Sequence, residues 1–369
     1  MKSLPRFMYA CSEENAEMLY ATQFFVPDPF LWWEFRGKTA AVLSPLEIDR
    51  AKRDAEIDRI YGFEQFLEKG VKSTPLNLLT SVCQKLKFKA LQVPSFFPAG
   101  LVEGLRRNKI RVEVSDDSFF PQRRFKSNAE VQKIRRGVEL ATIGLLRGQE
   151  VLKASKIRKD RKLSWGNQIL TSEILRGEID SAIVRANGLP ANTIVAGGNQ
   201  ACDPHERGSG VLFAHQAIIL DIFPRDPRTG YYGDLTRTFV RGRAPEKLRH
   251  LYETVKEGKA WVMKEVKPGR SGAEMHKELV ERFKKGGYPT KKVKGRWVGF
   301  FHGIGHGLGM EVHESPRFSE THFTPGEVVT VEPGIYYPGI GGVRLEDVVV
   351  VHSKGVRNLT NLPEVLEIF

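Results

Sequence analysis

Four carboxylates and a group of histidines stand where their chemistry is costly unless it is used. Asp221 closes the apolar run Ala217-Ile-Ile-Leu220, and Asp234 opens the run Leu235–Val240 after the turn-rich stretch Phe223-Pro-Arg-Asp-Pro-Arg-Thr-Gly230. Glu332 ends another apolar run ahead of Pro333-Gly334, and Glu346 lies inside Val343–Val351. A carboxylate at the buried end of a strand needs a cation or donors to offset its lost hydration, so something positive is expected beside Asp221. The segment HGIGHGLGMEVHESP, 302–316, sets His302, His306 and His313 among glycines at 303, 305, 307 and 309, where a backbone without side chains can approach a ligand closely.

Each feature alone has an ordinary reading. Asp221 or Asp234 could cap a turn, one histidine could be a satisfied core residue, and Arg344 could neutralise Glu346 within one strand. Together, four carboxylates and one imidazole make sense as a metal site, in which two divalent cations balance four ionised acids. Oxygen-rich ligation with one nitrogen and no sulfur favours Mn²⁺, Co²⁺ or Fe²⁺, with Zn²⁺ also compatible. Two such ions, about 3.5 to 4 Å apart, activate water and polarise a carbonyl, which is hydrolytic chemistry.

The elements that must position these residues follow from periodicity. Residues 1–120 read as a small α/β domain: Thr39–Leu43, Ala90–Val93 and Ile110–Val114 have strand length, and 46–69 and 76–87 carry helical spacing. The polar, Pro-containing stretch at 115–125 suits a linker. Residues 121–369 read as an α+β domain of helices on a mostly antiparallel sheet. Its first helix starts at a capping box, Ser127 to Glu130, and runs to about Ala154; others fit 165–186, 245–265 and 272–285. Strands are expected at Val211–Phe223, Leu235–Val240, Glu327–Val331 and Val343–Val351, the first two forming a hairpin with an acid, Asp221 or Asp234, near each facing position. Asp226 falls at the tip of that hairpin and is read as a turn residue. In a continuous last strand, Arg344 and Glu346 share a face. The two acid pairs are separated by similar distances, 13 positions for Asp221 and Asp234 and 14 for Glu332 and Glu346, as a duplicated half-domain would produce.

Composition narrows the classes further. With 41% hydrophobic and 27% charged residues the chain can bury a substantial core and is not disordered. Three cysteines without a Cys-x-x-Cys pair build neither a disulfide framework nor a thiolate metal site. No apolar stretch is long enough to span a membrane and the opening residues lack a signal-peptide core, so a cytoplasmic protein is expected. The 57 Lys+Arg against 44 Asp+Glu give +13. The basic runs at 156–162 and 291–296 have no groove-reading motif beside them and read as solvated loops, so a nucleic-acid partner is not expected.

At these residues the sequence resembles the pita-bread metallopeptidases, the family of methionine aminopeptidases, aminopeptidase P and prolidase, over about 127–369. The run HGIGHGLGMEVHE, with His302 four positions before His306, is similar to the signature of the proline-specific branch. The opening 115 residues resemble, more loosely, the amino-terminal domain of the creatinase, prolidase and aminopeptidase P group. The resemblance implies a pita-bread catalytic domain with internal pseudo-twofold symmetry, behind a creatinase-like α/β domain. It implies that Asp221 chelates one metal, that Asp234 and Glu346 bridge both, and that His306 and Glu332 complete the second. Glu332 would also carry a proton to the leaving nitrogen, while His205 and His313 contact substrate and the developing oxyanion. His302 and Arg344 match positions behind the ligands and in the substrate pocket. Two ions, Mn²⁺ foremost, peptide substrates with proline at the second position, and a homodimer are further implications. The activity implied is an Xaa-Pro aminopeptidase, with Xaa-Pro dipeptidase, or prolidase, as the alternative. A catalytically vestigial binding module or a metal-free creatinase-like amidinohydrolase is disfavoured, because all five ligand positions are filled by ligating residues.

Two departures from the family pattern stand out. The spacing from Asp221 to Asp234 is longer than usual by an even number of residues, which keeps both acids on one sheet face. Gly233 precedes the second aspartate where serine is common, which removes one possible hydrogen bond behind the site.

Overall fold

The computed structural model describes residues 4–320 and 322–369. The chain divides into two compact units, 1–121 and 122–369. The first carries β1 (Arg6–Ala10), α1 (Ala16–Thr22), β2 (Phe30–Phe35), β3 (Lys38–Leu43), α2 (Ile48–Asp54), β4 (Arg59–Gly62), α3 (Pro75–Lys85), β5 (Ala90–Pro94), α4 (Ala99–Arg107) and β6 (Arg111–Ser115). Its strands form one mixed sheet in the order β4-β3-β2-β1-β5-β6. Phe7, Trp33, Leu79, Val82 and Leu105 are among the side chains that fill one of its cores.

The helix expected over 46–69 forms only as α2, from Ile48. It stops at Asp54, and residues 59–62 become the parallel edge strand β4, paired with β3 from Ala40↔Arg59 to Leu43↔Gly62. Aromatic packing overrides local spacing here: Tyr61 stacks on Trp33 at 5.9 Å and meets Phe66 edge-on at 5.2 Å. Strands β1 and β2 and helix α4 were not anticipated.

The second unit opens with α5 (Asn128–Ala154), whose capping box is formed in both directions between Ser127 and Glu130. A small ribbon follows, β7 (Lys156–Ile157), β8 (Leu163–Trp165) and β9 (Gln168–Ile169), and then α6 (Ser172–Arg185). The expected start of α6 at 165 is therefore seven residues early. Gly166, at φ +57°, turns the ribbon, and the Thr171 hydroxyl caps the helix by accepting the N–H of Ile174 at 3.3 Å.

Next come β10 (Ile194–Gly197), β11 (Ile218–Ile222), β12 (Leu235–Arg241), α7 (Glu246–Glu265), α8 (Gly272–Lys285) and the hairpin β13 (Lys291–Val293) and β14 (Arg296–Val298). The chain ends with β15 (His306–Gly307), β16 (Glu314–Arg317), β17 (Val328–Val331), β18 (Gly334–Tyr337), β19 (Gly341–Arg344), β20 (Asp347–His352), β21 (Gly355–Asn358) and β22 (Glu367–Ile368). The strand expected over 211–223 is only 218–222, because His215 takes a left-handed conformation at φ +64° and turns the chain before it. The strand expected over 343–351 is two strands, β19 and β20, broken at Leu345-Glu346.

Two helix-backed half-sheets result. Ala141, Leu145 and Leu152 of α5 with Ile179 and Ile183 of α6 pack on Ile218, Leu220 and Phe239 of the sheet β10-β11-β12-β22. Leu251 and Val255 of α7 with Met275 and Leu279 of α8 pack on Val329, Val331 and Val349 of the sheet β16-β15-β17-β20-β21. Each half thus repeats the other's plan of a helix pair against antiparallel strands, and each contributes one of the acid pairs.

Candidate metal centre

The acid pair of the first half is set by the β11–β12 register, in which Asp221 faces Thr236 and Ile222 faces Leu235. Asp234 lies just before β12. Residues 223–233 leave and re-enter the sheet through a turn around Asp226, which is buried and accepts from the Thr229 hydroxyl at 3.1 Å and the Arg228 N–H at 3.2 Å. The loop is pressed onto α5 through two glycines. A Cβ on Gly233 would fall 2.0 Å from the Gly137 carbonyl carbon, and one on Gly137 would fall 2.4 Å from the Gly233 nitrogen. The small residue before Asp234 is therefore a steric requirement as well as a missing hydrogen-bond donor.

The second half supplies the rest. Gly305 sits where a Cβ would lie 2.0 Å from the Thr330 carbonyl oxygen, and this contact carries His306 against β17. There the Thr330 hydroxyl accepts the His306 N–H at 3.0 Å and donates to Glu332 Oε1 at 3.4 Å. The backbone N–H of Glu332 donates to the Ile304 carbonyl at 2.8 Å. Glu346 occupies the break between β19 and β20, its N–H bonded to the Thr236 carbonyl at 3.0 Å.

These placements converge. Asp234, His306 and Glu346 are buried and offer ligating atoms that all lie within 4.8 Å of one another. His306 Nε2 is 3.2 Å from Glu332 Oε1 and 3.8 Å from Asp234 Oδ2. The Thr236 hydroxyl lies 2.9 Å from Asp221 Oδ1 and 2.7 Å from Glu346 Oε2. All nine residues singled out in the sequence, His205, Asp221, Asp234, His302, His306, His313, Glu332, Arg344 and Glu346, line one cavity of about 820 Å³. His205 and His313 are exposed at it, and the His313 ring meets that of His306 edge-on at 4.3 Å.

Arg344 does not neutralise Glu346 as a within-strand pair. Its Nη2 donates to Asp221 Oδ2 at 2.6 Å, so it is the cation beside that acid. Its Nη1 donates to the Tyr336 hydroxyl at 3.1 Å, and Tyr336 lies 2.9 Å from His302 Nε2. Burial holds His302 down to about 4, so the ring is neutral; its Nδ1–H donates to the Gly303 carbonyl at 2.8 Å and its Nε2 accepts from Tyr336.

The sequence reading missed Tyr336, Thr236 and Thr330. Each stands two residues from a singled-out position or its cross-strand partner: Thr236 follows Asp234, Thr330 precedes Glu332, and Tyr336 follows Gly334, which pairs with Arg344. Alternation along the strands was the available signal. Arg317, Phe223 and Phe301, which also line the cavity, carried no such signal.

The electrostatics are those of a site short of positive charge. Burial, reinforced by Glu346, Asp221 and Glu332, pushes Asp234 well above the usual carboxylate range. Burial, with Glu332 and Asp221, does the same to Glu346. Burial also opposes ionisation of Glu332, yet the hydrogen bond and charge of His306 outweigh it and bring Glu332 to about 2; burial likewise opposes protonation of His306, but Glu332 raises it. Glu346 Oε1 is buried, and no described residue donates a hydrogen bond to it. An oxygen so placed fits a metal ligand better than a structural acid. The five oxygen- and nitrogen-bearing residues accordingly fit divalent cations, and no described cysteine lines the cavity.

A domain of two helix-backed half-sheets, with carboxylates drawn from both and an imidazole from the second, is the arrangement of the pita-bread metallopeptidases. The pattern of metallopeptidase family M24 matches residues 132–353, and the chain belongs to that family. A Xaa-Pro dipeptidase of Pyrococcus horikoshii is 31% identical over 284 residues, covering 74% of this chain and 73% of that one. The crystal structure of the prolidase from Pyrococcus horikoshii OT3 superposes with a TM-score of 0.80 at 24% identity, over 98% of this chain and 95% of that one. That of an X-Pro aminopeptidase from Thermotoga maritima MSB8 gives 0.83 at 22% identity, over 99% and 97%. At those identities the two structures speak for the fold. Among the described residues no helix is long and apolar enough to cross a membrane.

Proposed function

We propose that this metallopeptidase hydrolyses the bond between an amino-terminal residue and proline, with free Xaa-Pro dipeptides as preferred substrates. Asp221, Asp234, His306, Glu332 and Glu346 are the residues that would hold two divalent ions, Mn²⁺ first among them. When bound, such a pair supplies an activated water and a polarised scissile carbonyl. The observation that carries the reading is the meeting of Asp234, His306 and Glu346, with an unpartnered Glu346 oxygen among them.

The chain's own groups then have distinct tasks. The Glu332 carboxylate, kept ionised by His306, is suited to take a proton from water and return it to the prolyl nitrogen. Arg344 holds Asp221 in place, and Tyr336 passes that order on to His302. His205 and His313, open to the cavity, are placed to donate toward a carbonyl whose charge grows in the transition state. Phe223 and Phe301 offer apolar wall to a pyrrolidine ring. An X-Pro amide lacks an N–H and has a fixed φ, so a site shaped for that ring selects it.

The preference for dipeptides rests on two supports, the name of the relative from Pyrococcus horikoshii and the cationic Arg317 in the cavity wall, which suits a free carboxylate. It moves the balance from the aminopeptidase to the prolidase alternative. The assay that decides uses Mn²⁺-loaded protein, with and without chelator, on Gly-Pro, an X-Pro-Pro tripeptide and a Met-Ala peptide. Chelator-sensitive cleavage of Gly-Pro alone is expected. Tripeptide cleavage would make the enzyme an aminopeptidase, and removal of Met would refute proline selectivity. A cytoplasmic homodimer completes the proposal; sedimentation of the purified protein tests the dimer and cell fractionation the compartment.

A further inference from the structure

On the opposite face of β12 from Thr236 lies a second charged group, none of whose side chains lines the cavity. Arg237 is fully buried. Its Nη1 donates to the carbonyl oxygens of Thr236 at 3.0 Å and Glu346 at 2.5 Å, and its Nη2 to Asp347 Oδ1 at 2.8 Å and the Leu362 carbonyl at 3.0 Å. Lys259 of α7, also buried, reaches Asp347 Oδ2 at 2.6 Å and Glu364 Oε1 at 2.5 Å, and Asn358 Nδ2 donates to the same Asp347 oxygen at 2.9 Å. Two cations face two anions, so the group is neutral in itself and lends no net charge to the carboxylates on the other side of the strand.

A buried ion network of this kind is seldom a net source of stability compared with apolar packing. What it does supply is geometry. Glu346 sits in a strand break, where its backbone is held by its own N–H to the Thr236 carbonyl and by Arg237 to its carbonyl oxygen. One end of the planar guanidinium, Nη1, bonds two carbonyls from different half-sheets while the other, Nη2, is anchored on Asp347 and the Leu362 carbonyl, a two-point arrangement that the single nitrogen of a lysine ammonium cannot reproduce. The Thr236 hydroxyl in turn stands between Asp221 and Glu346.

We propose that Arg237 is a positioning residue for the metal centre: its guanidinium locks the Thr236 and Glu346 peptides together and so sets the separation of the acids from the two half-sheets, with Asp347, Lys259 and the segment 358–364 as its brace. The proposal rests on reading the cavity as a divalent-metal site. It extends the site to residues that touch neither metal nor substrate.

The test is a Co²⁺ titration of the metal-free full chain followed by its visible absorption spectrum, on wild type, Arg237→Lys and Glu364→Gln, with kcat and KM on Gly-Pro as a second readout. Loss of a partner behind a ligand costs about 10- to 100-fold in metal affinity or activity. Arg237→Lys is expected to bind Co²⁺ at least about tenfold more weakly, with an altered spectrum and a lower kcat at nearly unchanged KM. Glu364→Gln is expected to show a smaller change of the same sign. A folded Arg237→Lys with wild-type affinity and spectrum overturns the proposal; should that variant fail to fold, wild-type affinity and spectrum in Glu364→Gln overturn it. Failure of the wild type itself to take up Co²⁺ would instead overturn the reading of the cavity, and the proposal with it.

Discussion

At the scale of the residue, the site is a set of acids that folding has left without enough donors. Asp234 and Glu346 bind protons more tightly in the folded chain than in the unfolded one. Their contribution favours the metal-free fold at low pH, and it is lost as pH rises from the ordinary carboxylate value of about 4 through their raised folded values. Glu332 works the other way, but its window lies lower, between its ordinary value and about 2. Chelator-treated wild type should therefore lose urea resistance relative to Glu346→Gln, which carries no titratable group at that position, as pH rises above the ordinary carboxylate range. Parallel pH profiles for the two proteins would contradict this. The same acids and His306 must lose protons to bind a cation, so Mn²⁺ affinity should fall steeply below neutral pH in a calorimetric titration. Asp234→Ala and Glu346→Ala should abolish peptidase activity and metal uptake together, and a variant with full turnover would refute their assignment. The four acids and His302, His306 and His313 were legible because acids ending apolar runs and histidines among glycines are conspicuous; Arg344 was noticed as the strand neighbour of Glu346, and His205 entered only through the family resemblance. Tyr336 and the two threonines were not, since a hydroxyl at the end of a buried strand looks like any strand residue until its partner is known.

At the scale of the element, legibility followed how local the cause was. The start of α5 was readable because a capping box is written within four residues, Ser127 to Glu130. The break between β19 and β20 was not. Val343 to Val351 is rich in valine, and at the break the Glu346 peptide is bonded to Thr236 and Arg237 of another strand. The shortening of the helix expected over 46–69 has a similar origin in the stacking of Tyr61 on Trp33. The contact of Gly137 with the loop before Asp234 shows what one helix contributes to the site. Gly137→Ala would drive a Cβ into the backbone at Tyr232–Gly233. Overpacking of this sort costs about 1 to 3 kcal/mol. Urea denaturation should show that loss, together with weaker metal binding. A variant as stable as wild type would mean the helix and loop separate easily.

At the scale of the whole molecule, the repeated spacing of the two acid pairs corresponds to two half-sheets, each backed by its own helix pair. Each half brings one pair of carboxylates to a shared cavity, so neither pair has a complete ligand set without the other. The chain carries a formal charge of +13, yet at this centre the buried cation Arg344 is already committed to Asp221. The acids remain in excess, and only added cations make them compatible with a buried, ionised state at neutral pH. Metal analysis after equilibrium dialysis against Mn²⁺ tests this most directly. The account predicts two ions bound per chain, falling to none on chelation; a wild-type protein that folds and holds no Mn²⁺ at neutral pH would contradict it.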